Sequence, residues 1–449
     1  MKHPILPALI ATLIPWAAAP AQTQPAPAPL PREALSQGKL GLFVHYVAGL
    51  TPESPGGAKT TDLKAFARAL DVKALADTVQ KSGAEYLIFT AYHAGMKMLY
   101  PSKVWGEVFP DKVADRDVIG ELADELAKRN IRLILYVHPN DRHDLSEADQ
   151  QKLISLGWAS SVLKRDPIWL EKKGDKKFTG LRGADEKWNK MYFRIIEELG
   201  QRYGKKISGY WQDGPGPDGA EVQRIMYQFT PGAAIWLNKA ASRADLLPAN
   251  LLGGEYIVKP NTVPEAQPSK TTTLQNSITV NGDWWASQKP PLYTPENLYR
   301  MAVTMAATTG SANGGFVLAA GPFANNAWAP GMSECLAGVG ALMKASGPSI
   351  YGTVPGKAYP TTGKAQPDWG VSTESPDGSA VYLHVLFPPR TPTLQIAKPA
   401  DGRRLTAAAL LNGAPVALKP NEAGYELTLP ASAKWNALDT VIRCAASKP

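Results

Sequence analysis

Short apolar runs alternate with amphipathic stretches along the first half of the chain, and this alternation constrains the fold more than any other feature. Gly41 to Tyr46, Tyr86 to Thr90, Ile131 to Val137, the run ending at Tyr210-Trp211-Gln212-Asp213, and Ala234 to Leu237 read as buried strands. Between them, three stretches read as helices: Val72 to Ser82, closed by Gly83; Val118 to Lys128, with Ile119, Leu122 and Leu126 on one side; and Asp185 to Tyr203, ended by Gly204 as a C′ residue. Strands separated by helices at this spacing form parallel βαβ units. An open doubly wound sheet would carry a Gly-rich turn after its first strand, whereas here that strand ends in His45. The expected class is therefore α/β, a (β/α)8-type, TIM-like barrel.

From Tyr351 onward the texture changes. Alternating runs such as Ala380 to Leu386 and Gly424 to Leu429 lie between Pro, Gly and Asn turns, which predicts a C-terminal antiparallel β-sandwich over 351–449. His384 sits inside one of those strands and reads as a core or edge histidine. At the other end, Lys2 and His3 precede the apolar stretch Pro4 to Ala18, and Ala19-Pro20-Ala21 offers small residues for cleavage. Residues 1–21 thus read as a secretory signal, 22–33 as a Pro/Ala-rich linker and 34–350 as the catalytic domain of a secreted or periplasmic protein. No later stretch is apolar for the roughly 18 residues a membrane span needs. With 44% hydrophobic and 20% charged residues the chain is a folded one, and its +8 charge is scattered in short pairs such as Lys172-Lys173, so nucleic acid is not an expected partner. Cys335 and Cys444 fall in different expected domains; a bridge between them is open in an oxidising compartment, with free buried thiols favoured.

Trp211-Gln212-Asp213-Gly214 carries the strongest functional signal. Side chains alternate along a strand, so Trp211 and Asp213 share a face, and Pro215-Gly216-Pro217 stops the strand at once. The carboxylate arrives at a strand's C-terminal end, where barrels house their chemistry. Asp-Gly is also a common turn dipeptide, so Asp213 alone decides nothing. Three more strands finish near polar groups, at His45, His93 and His138, with Asp141 and His143 just beyond, and four of the six histidines lie at that inferred mouth. One use would be a zinc site, but zinc barrels usually show His-x-His on the first strand and this one reads Phe43-Val44-His45-Tyr46. The other is a sugar pocket in which a carboxylate attacks the anomeric carbon. No metal or other cofactor is expected.

These residues resemble the α-L-fucosidases of glycoside hydrolase family 29, in register along most of the chain. Gly41-Leu-Phe-Val-His45 is similar to the family's Gly-Ile-Phe-Ile-His first strand, and Phe89-Thr90-Ala91-Tyr92-His93 followed by Leu99-Tyr100-Pro101-Ser102-Lys103 to its Leu-Thr-Ala-Lys-His-His and Leu-Trp-Pro-Ser-Lys. Arg116-Asp117-Val118 to Tyr136 resembles its Arg-Asp helix and third strand. Arg202-Tyr203-Gly204 and Tyr210-Trp211-Gln212-Asp213-Gly214 resemble its Arg-Tyr-Gly and Leu-Trp-Phe-Asp-Gly. Ser346-Gly347-Pro348-Ser349-Ile350-Tyr351-Gly352-Thr353 resembles the segment that joins barrel to sandwich.

The resemblance implies a retaining exo-glycosidase with Asp213 as nucleophile, His45 and His93 holding sugar hydroxyls, and Trp211 and Trp284 as apolar walls; His138 joins the substrate-binding candidates through its place at the same mouth. Trp284 is included because Gly282-Asp283-Trp284-Trp285 falls where the family has Ser-Trp-Gly-Tyr. For both tryptophans ordinary barrel packing is an equal alternative. Retention needs a second carboxyl, for which Glu255 is the first choice, Glu265 the second and Asp283 the third. The chain also departs from the pattern. His93-Ala94 replaces paired histidines, Leu274-Gln275 replaces Trp-Glu, and Asn238-Lys239 stands where Asn-Asp-Arg would be, unless Lys239 or Arg243 substitutes. These departures leave room for another L-sugar, or for a carbohydrate-binding protein that has lost hydrolysis.

Overall fold

The computed structural model of the chain describes residues 39–163, 185–213, 219–238, 251–255, 273–308, 315–362 and 366–447. The expected leader and linker, Glu265, Lys239 and Arg243 lie outside these residues. β1 (Leu40–Val44) and β2 (Tyr86–Thr90) are followed by a small hairpin, β3 (Tyr92–His93) and β4 (Lys97–Met98). Then come β5 (Arg132–Val137), β6 (Gly209–Gln212), β7 (Ala234–Asn238), β8 (Leu251–Glu255), β9 (Thr273–Thr279) and β10 (Phe316–Ala319). The hairpin apart, these strands form a closed parallel barrel, completed where Leu40 of β1 pairs with Phe316 of β10.

The strands are continuous apolar runs because both of their faces are covered. Leu40, Leu42 and Val44 pack outward with Leu87, Phe89, Leu133 and Leu135 under the helices, while Phe43, Ile88, Ile134, Tyr136, Trp211 and Trp236 fill the interior. The helices are α1 (Leu63–Ala69), α2 (Val72–Lys81), α3 (Lys103–Gly106), α4 (Val118–Ala127), α5 (Glu147–Ser155), α6 (Glu186–Tyr203), α7 (Gly219–Phe229), α8 (Pro295–Ala307) and α9 (Met332–Ala345). Side-chain caps start most of them: Asp71, Asp117, Asp185 and Thr294 accept from the backbone N–H three residues on. α6 buries Trp188, Met191, Tyr192, Ile195, Ile196 and Leu199, an i, i+3, i+4 stripe. Gly204 does follow it, but not in the left-handed conformation expected of a C′ glycine: its φ is −53°. Glycine is needed there because a Cβ would collide with the Phe229 carbonyl oxygen.

The C-terminal strands are β11 (Val354–Pro355), β12 (Gly370–Glu374), β13 (Ala380–Val385), β14 (Thr393–Ala397), β15 (Leu405–Leu410), β16 (Pro415–Pro420), β17 (Gly424–Thr428) and β18 (Thr440–Ala446). They form an antiparallel, sandwich-like eight-stranded sheet in which β16 pairs with both β15 and β17. Its own core includes Val381, Leu383, Leu394, Ile396, Leu427 and Ile442. A polar joint ties it to the barrel. The His384 Nδ1 lies 2.7 Å from Asp439 Oδ2, and the Tyr299 hydroxyl of α8 donates to the same oxygen at 2.7 Å. His384 is fully buried and structural. Cys335 and Cys444 are both buried and unpaired. Among the described residues no helix is long and apolar enough to cross a membrane.

Candidate active site

Asp213 stands at the C-terminal rim of the barrel, one residue past β6, its N–H donating to the Val137 carbonyl at 2.9 Å. Register decides its neighbours. Tyr136 of β5 is level with Trp211 of β6, and Trp211 with Trp236 of β7, so Tyr136 and Asn238 flank the carboxylate from either side. The Tyr136 hydroxyl donates to Asp213 Oδ2 and Asn238 Nδ2 donates to Oδ1, both at 2.9 Å. Two charge-assisted hydrogen bonds from rigid strands hold one orientation of the carboxylate. Neither Tyr136 nor Asn238 stood out in the sequence as a partner of Asp213. Strand parity was the available signal, since both are the inward residues nearest their strand ends.

Three imidazoles adjoin this carboxylate. His45 follows β1 and stacks on Phe43 at 4.3 Å between ring centroids, with Tyr136 at 5.1 Å. Its Nδ1 has no hydrogen-bond partner among the described residues. Burial first, and then the neighbouring His93, pull the His45 imidazole down to about 3 against the attraction of Asp213. His93, on the β3 hairpin, places Nδ1 2.8 Å from Asp141 Oδ2 and Nε2 3.1 Å from the Tyr136 hydroxyl. Burial opposes its protonation, but Asp141, with Asp213 and Asp144 behind it, outweighs that and raises it above the ordinary histidine value. His138 stacks on His93 at 5.7 Å and 18°, accepts the Asn140 N–H on Nδ1 at 3.1 Å, and is lowered chiefly by burial.

These imidazoles make stability depend on pH. An unfolded histidine protonates near pH 6.5, but folded His45 does so only at about 3, so between those values the unfolded state binds more protons. Stability contributed by His45 is complete above the upper limit and is lost as pH falls through the window. His138 adds in the same direction, while raised His93 bears only on the range above. Denaturant midpoints should therefore decline as pH falls from about 6.5 to about 3, and His45→Gln should flatten the decline. An equally steep decline in the variant would contradict this assignment.

The structure separates the two tryptophans. Trp211 is 2% exposed, stacked on Tyr136 at 5.5 Å and edge-on to Phe43 at 5.0 Å, and belongs to the barrel interior below the site. Trp284 is half-buried at the mouth, 5.5 Å from the His45 ring. Trp285, which the sequence reading passed over, lies 5.1 Å from His45 and 5.3 Å from His93 and covers both. Of the acid candidates, Asp283 is paired with Lys289 at 3.0 Å. Glu255 closes β8, two strands along the barrel from β6; only its backbone is described. The zinc alternative would draw on Asp141, His143 and Asp144, whose ligand atoms come within 4.8 Å of one another. There the Asp141 Oδ2 is already engaged by His93, and His143 Nδ1 by the Asn140 carbonyl at 2.5 Å.

Known proteins share both this sequence pattern and this architecture. A family model described as Alpha-L-fucosidase matches residues 63–348, well over half of the chain. The tissue alpha-L-fucosidase of Bos taurus is 24% identical over 380 residues, covering 81% of this chain and 71% of the bovine protein. That of Homo sapiens is 24% identical over 345 residues, covering 72% of this chain and 63% of the human protein. An alpha-L-fucosidase structure from Bacteroides thetaiotaomicron superposes with a TM-score of 0.66 at 18% identity, over 97% of this chain and 98% of that one. Another from the same organism, a trapped covalent intermediate, gives 0.67 at 18% identity over 93% and 96%. At such identities the superpositions speak for the fold, and the family match speaks for descent: the chain belongs to the alpha-L-fucosidase family of glycoside hydrolases.

Proposed function

We propose that the protein is a secreted retaining exo-α-L-fucosidase that releases terminal α-L-fucosyl residues, with Asp213 as nucleophile and Glu255 as general acid and base. The observation that carries this reading is the Asp213 carboxylate, oriented by Tyr136 and Asn238 at the C-terminal mouth of the barrel. The covalent intermediate trapped in the Bacteroides relative supports the same two-step route.

In the first step an Asp213 oxygen forms a bond to the anomeric carbon while the bond to the leaving oxygen breaks, and that oxygen takes a proton from the acid. In the second, water gives a proton back to the same residue and attacks the anomeric carbon, and the ester to Asp213 breaks. Configuration is retained after two inversions. Neighbouring strands lie about 4.8 Å apart, so the ends of β6 and β8 are separated by roughly 10 Å. From there an aspartate and a longer glutamate can converge to the roughly 5 Å that retention requires. Neutral His45, with its unpartnered Nδ1, suits a sugar hydroxyl, and Trp284 suits an apolar sugar face. Ala94, Lys239 and Gln275 depart from the family pattern and leave room for another L-sugar or a decorated fucoside.

Purified residues 22–449 incubated with a panel of aryl glycosides test this reading. Release from the α-L-fucoside supports it. Release from another glycoside alone moves the specificity, and silence across aryl and oligosaccharide fucosides, with fucose bound in a titration, would leave a binding protein.

A further inference from the structure

His93 matches a sugar-contact histidine of the family, yet both of its ring nitrogens are already engaged by the protein. Proton counting along its contacts assigns it a different task. The chain of contacts runs from Asp141 Oδ2 to His93 Nδ1 at 2.8 Å, from His93 Nε2 to the Tyr136 hydroxyl at 3.1 Å, and from that hydroxyl to Asp213 Oδ2 at 2.9 Å. A carboxylate at either end can only accept. The single Tyr136 proton is committed to Asp213, so Nε2 must donate to the tyrosine oxygen and Nδ1 must donate to Asp141. Every contact is satisfied only when His93 carries both protons.

The surroundings agree. Asp141 is fully buried, and its Oδ1 has no hydrogen-bond partner among the described residues, because the nearby His138 Nδ1 already accepts the Asn140 N–H. A carboxylate so placed needs a cation, since an unpaired buried charge is strongly disfavoured. The titratable groups facing His93 are His45 after β1, Tyr136 and His138 of and after β5, Asp141 and Asp144 on the following turn, and Asp213 after β6. His45 and His138 are held neutral by burial, which leaves His93 as the charged member of the three. Tyr136 is raised well above an ordinary tyrosine by burial and by Asp213, and keeps its proton.

We propose that Asp141 is a positioning residue that holds His93 as an imidazolium between two carboxylates, and that His93, acting through the Tyr136 hydroxyl, keeps Asp213 ionised and correctly aimed. His93 is then a fixed charge in the wall of the site. No proton leaves the chain of contacts during turnover. A carboxylate whose charge is stabilised in this way is also a better leaving group in the second step. The proposal rests on Asp213 being the nucleophile.

Its test is an imidazole ¹⁵N NMR titration of the full chain, with the His93 signals assigned against His93→Gln, in the wild type, Asp141→Asn and Tyr136→Phe. Wild-type His93 should still be doubly protonated at about pH 7.5, a unit above the ordinary midpoint. Asp141→Asn should lose that charge and Tyr136→Phe should keep it. On whichever aryl glycoside the wild type cleaves, both variants should lose roughly ten- to hundredfold in kcat with KM within about threefold. The acid limb of kcat/KM should move to higher pH in Asp141→Asn, because the cation beside Asp213 is gone; a purely structural loss would scale the profile without moving it. A neutral wild-type His93 at about pH 7 overturns the proposal, as does an Asp141→Asn profile that falls in height alone. The NMR arm needs no substrate, so it decides the ion pair even if the fucoside is not cleaved. Conversely, fucoside cleavage with a neutral His93 leaves the fucosidase reading standing and removes this one.

Discussion

Asp213→Asn should lower kcat by at least about a thousandfold while the folded protein keeps its wild-type thermal midpoint and circular dichroism. The reason is chemical. An amide has no anionic oxygen with which to form the glycosyl ester, so the first step loses its nucleophile, while asparagine matches aspartate in size between Tyr136 and Asn238. A second substitution sharpens the expectation. Asp213→Gly empties the same face, and added azide should enter there, restore aryl release and give a glycosyl azide inverted relative to the substrate. Wild-type turnover by Asp213→Asn would remove Asp213 from the mechanism.

The second large effect lies far from the chemistry, at the joint between barrel and sheet. Asp439 receives the Tyr299 hydroxyl from α8 and faces the His384 Nδ1, each at 2.7 Å, and the His384 ring is fully buried. Asp439→Ala removes a shared acceptor: the buried His384 Nδ1 loses its partner, while the Tyr299 hydroxyl retains Ser346 Oγ at 2.7 Å. Leaving a buried hydrogen-bonding group unsatisfied in this way costs about 1–3 kcal/mol. Tyr299→Phe removes one hydrogen bond from the barrel side and should cost about 1 kcal/mol. Urea unfolding of both variants is the measurement. A loss under about 0.5 kcal/mol in Asp439→Ala would mean that the joint is decorative and that apolar contacts hold the domains together.

Much of this molecule is legible from local pattern. The strand over Tyr86–Thr90 and the helices that open at Val72 and Val118 follow from periodicity, caps and the glycine after α2, all of which act within a few residues. Asp213 could be singled out because alternation and a following Pro-Gly-Pro place it at a strand end. β8 and β9 did not emerge from the same reasoning, since Leu251–Glu255 carries two glycines and Thr273–Thr279 mixes Thr, Gln, Asn and Ser into its run, and β10 over Phe316–Ala319 was not singled out either.

The sequence by itself determined the class of fold and the place of Asp213 at the C-terminal end of a barrel strand, because each is written in the order of neighbouring residues. Only the tertiary structure decided what surrounds that carboxylate. Tyr136 lies 77 residues from Asp213, Asn238 lies 25 from it, and Asp141 lies 48 from His93. These contacts depend on the register in which β5, β6 and β7 pair and on closure of the barrel at β1 and β10. Register is a property of whole strands settling together, so no local run of residues records it.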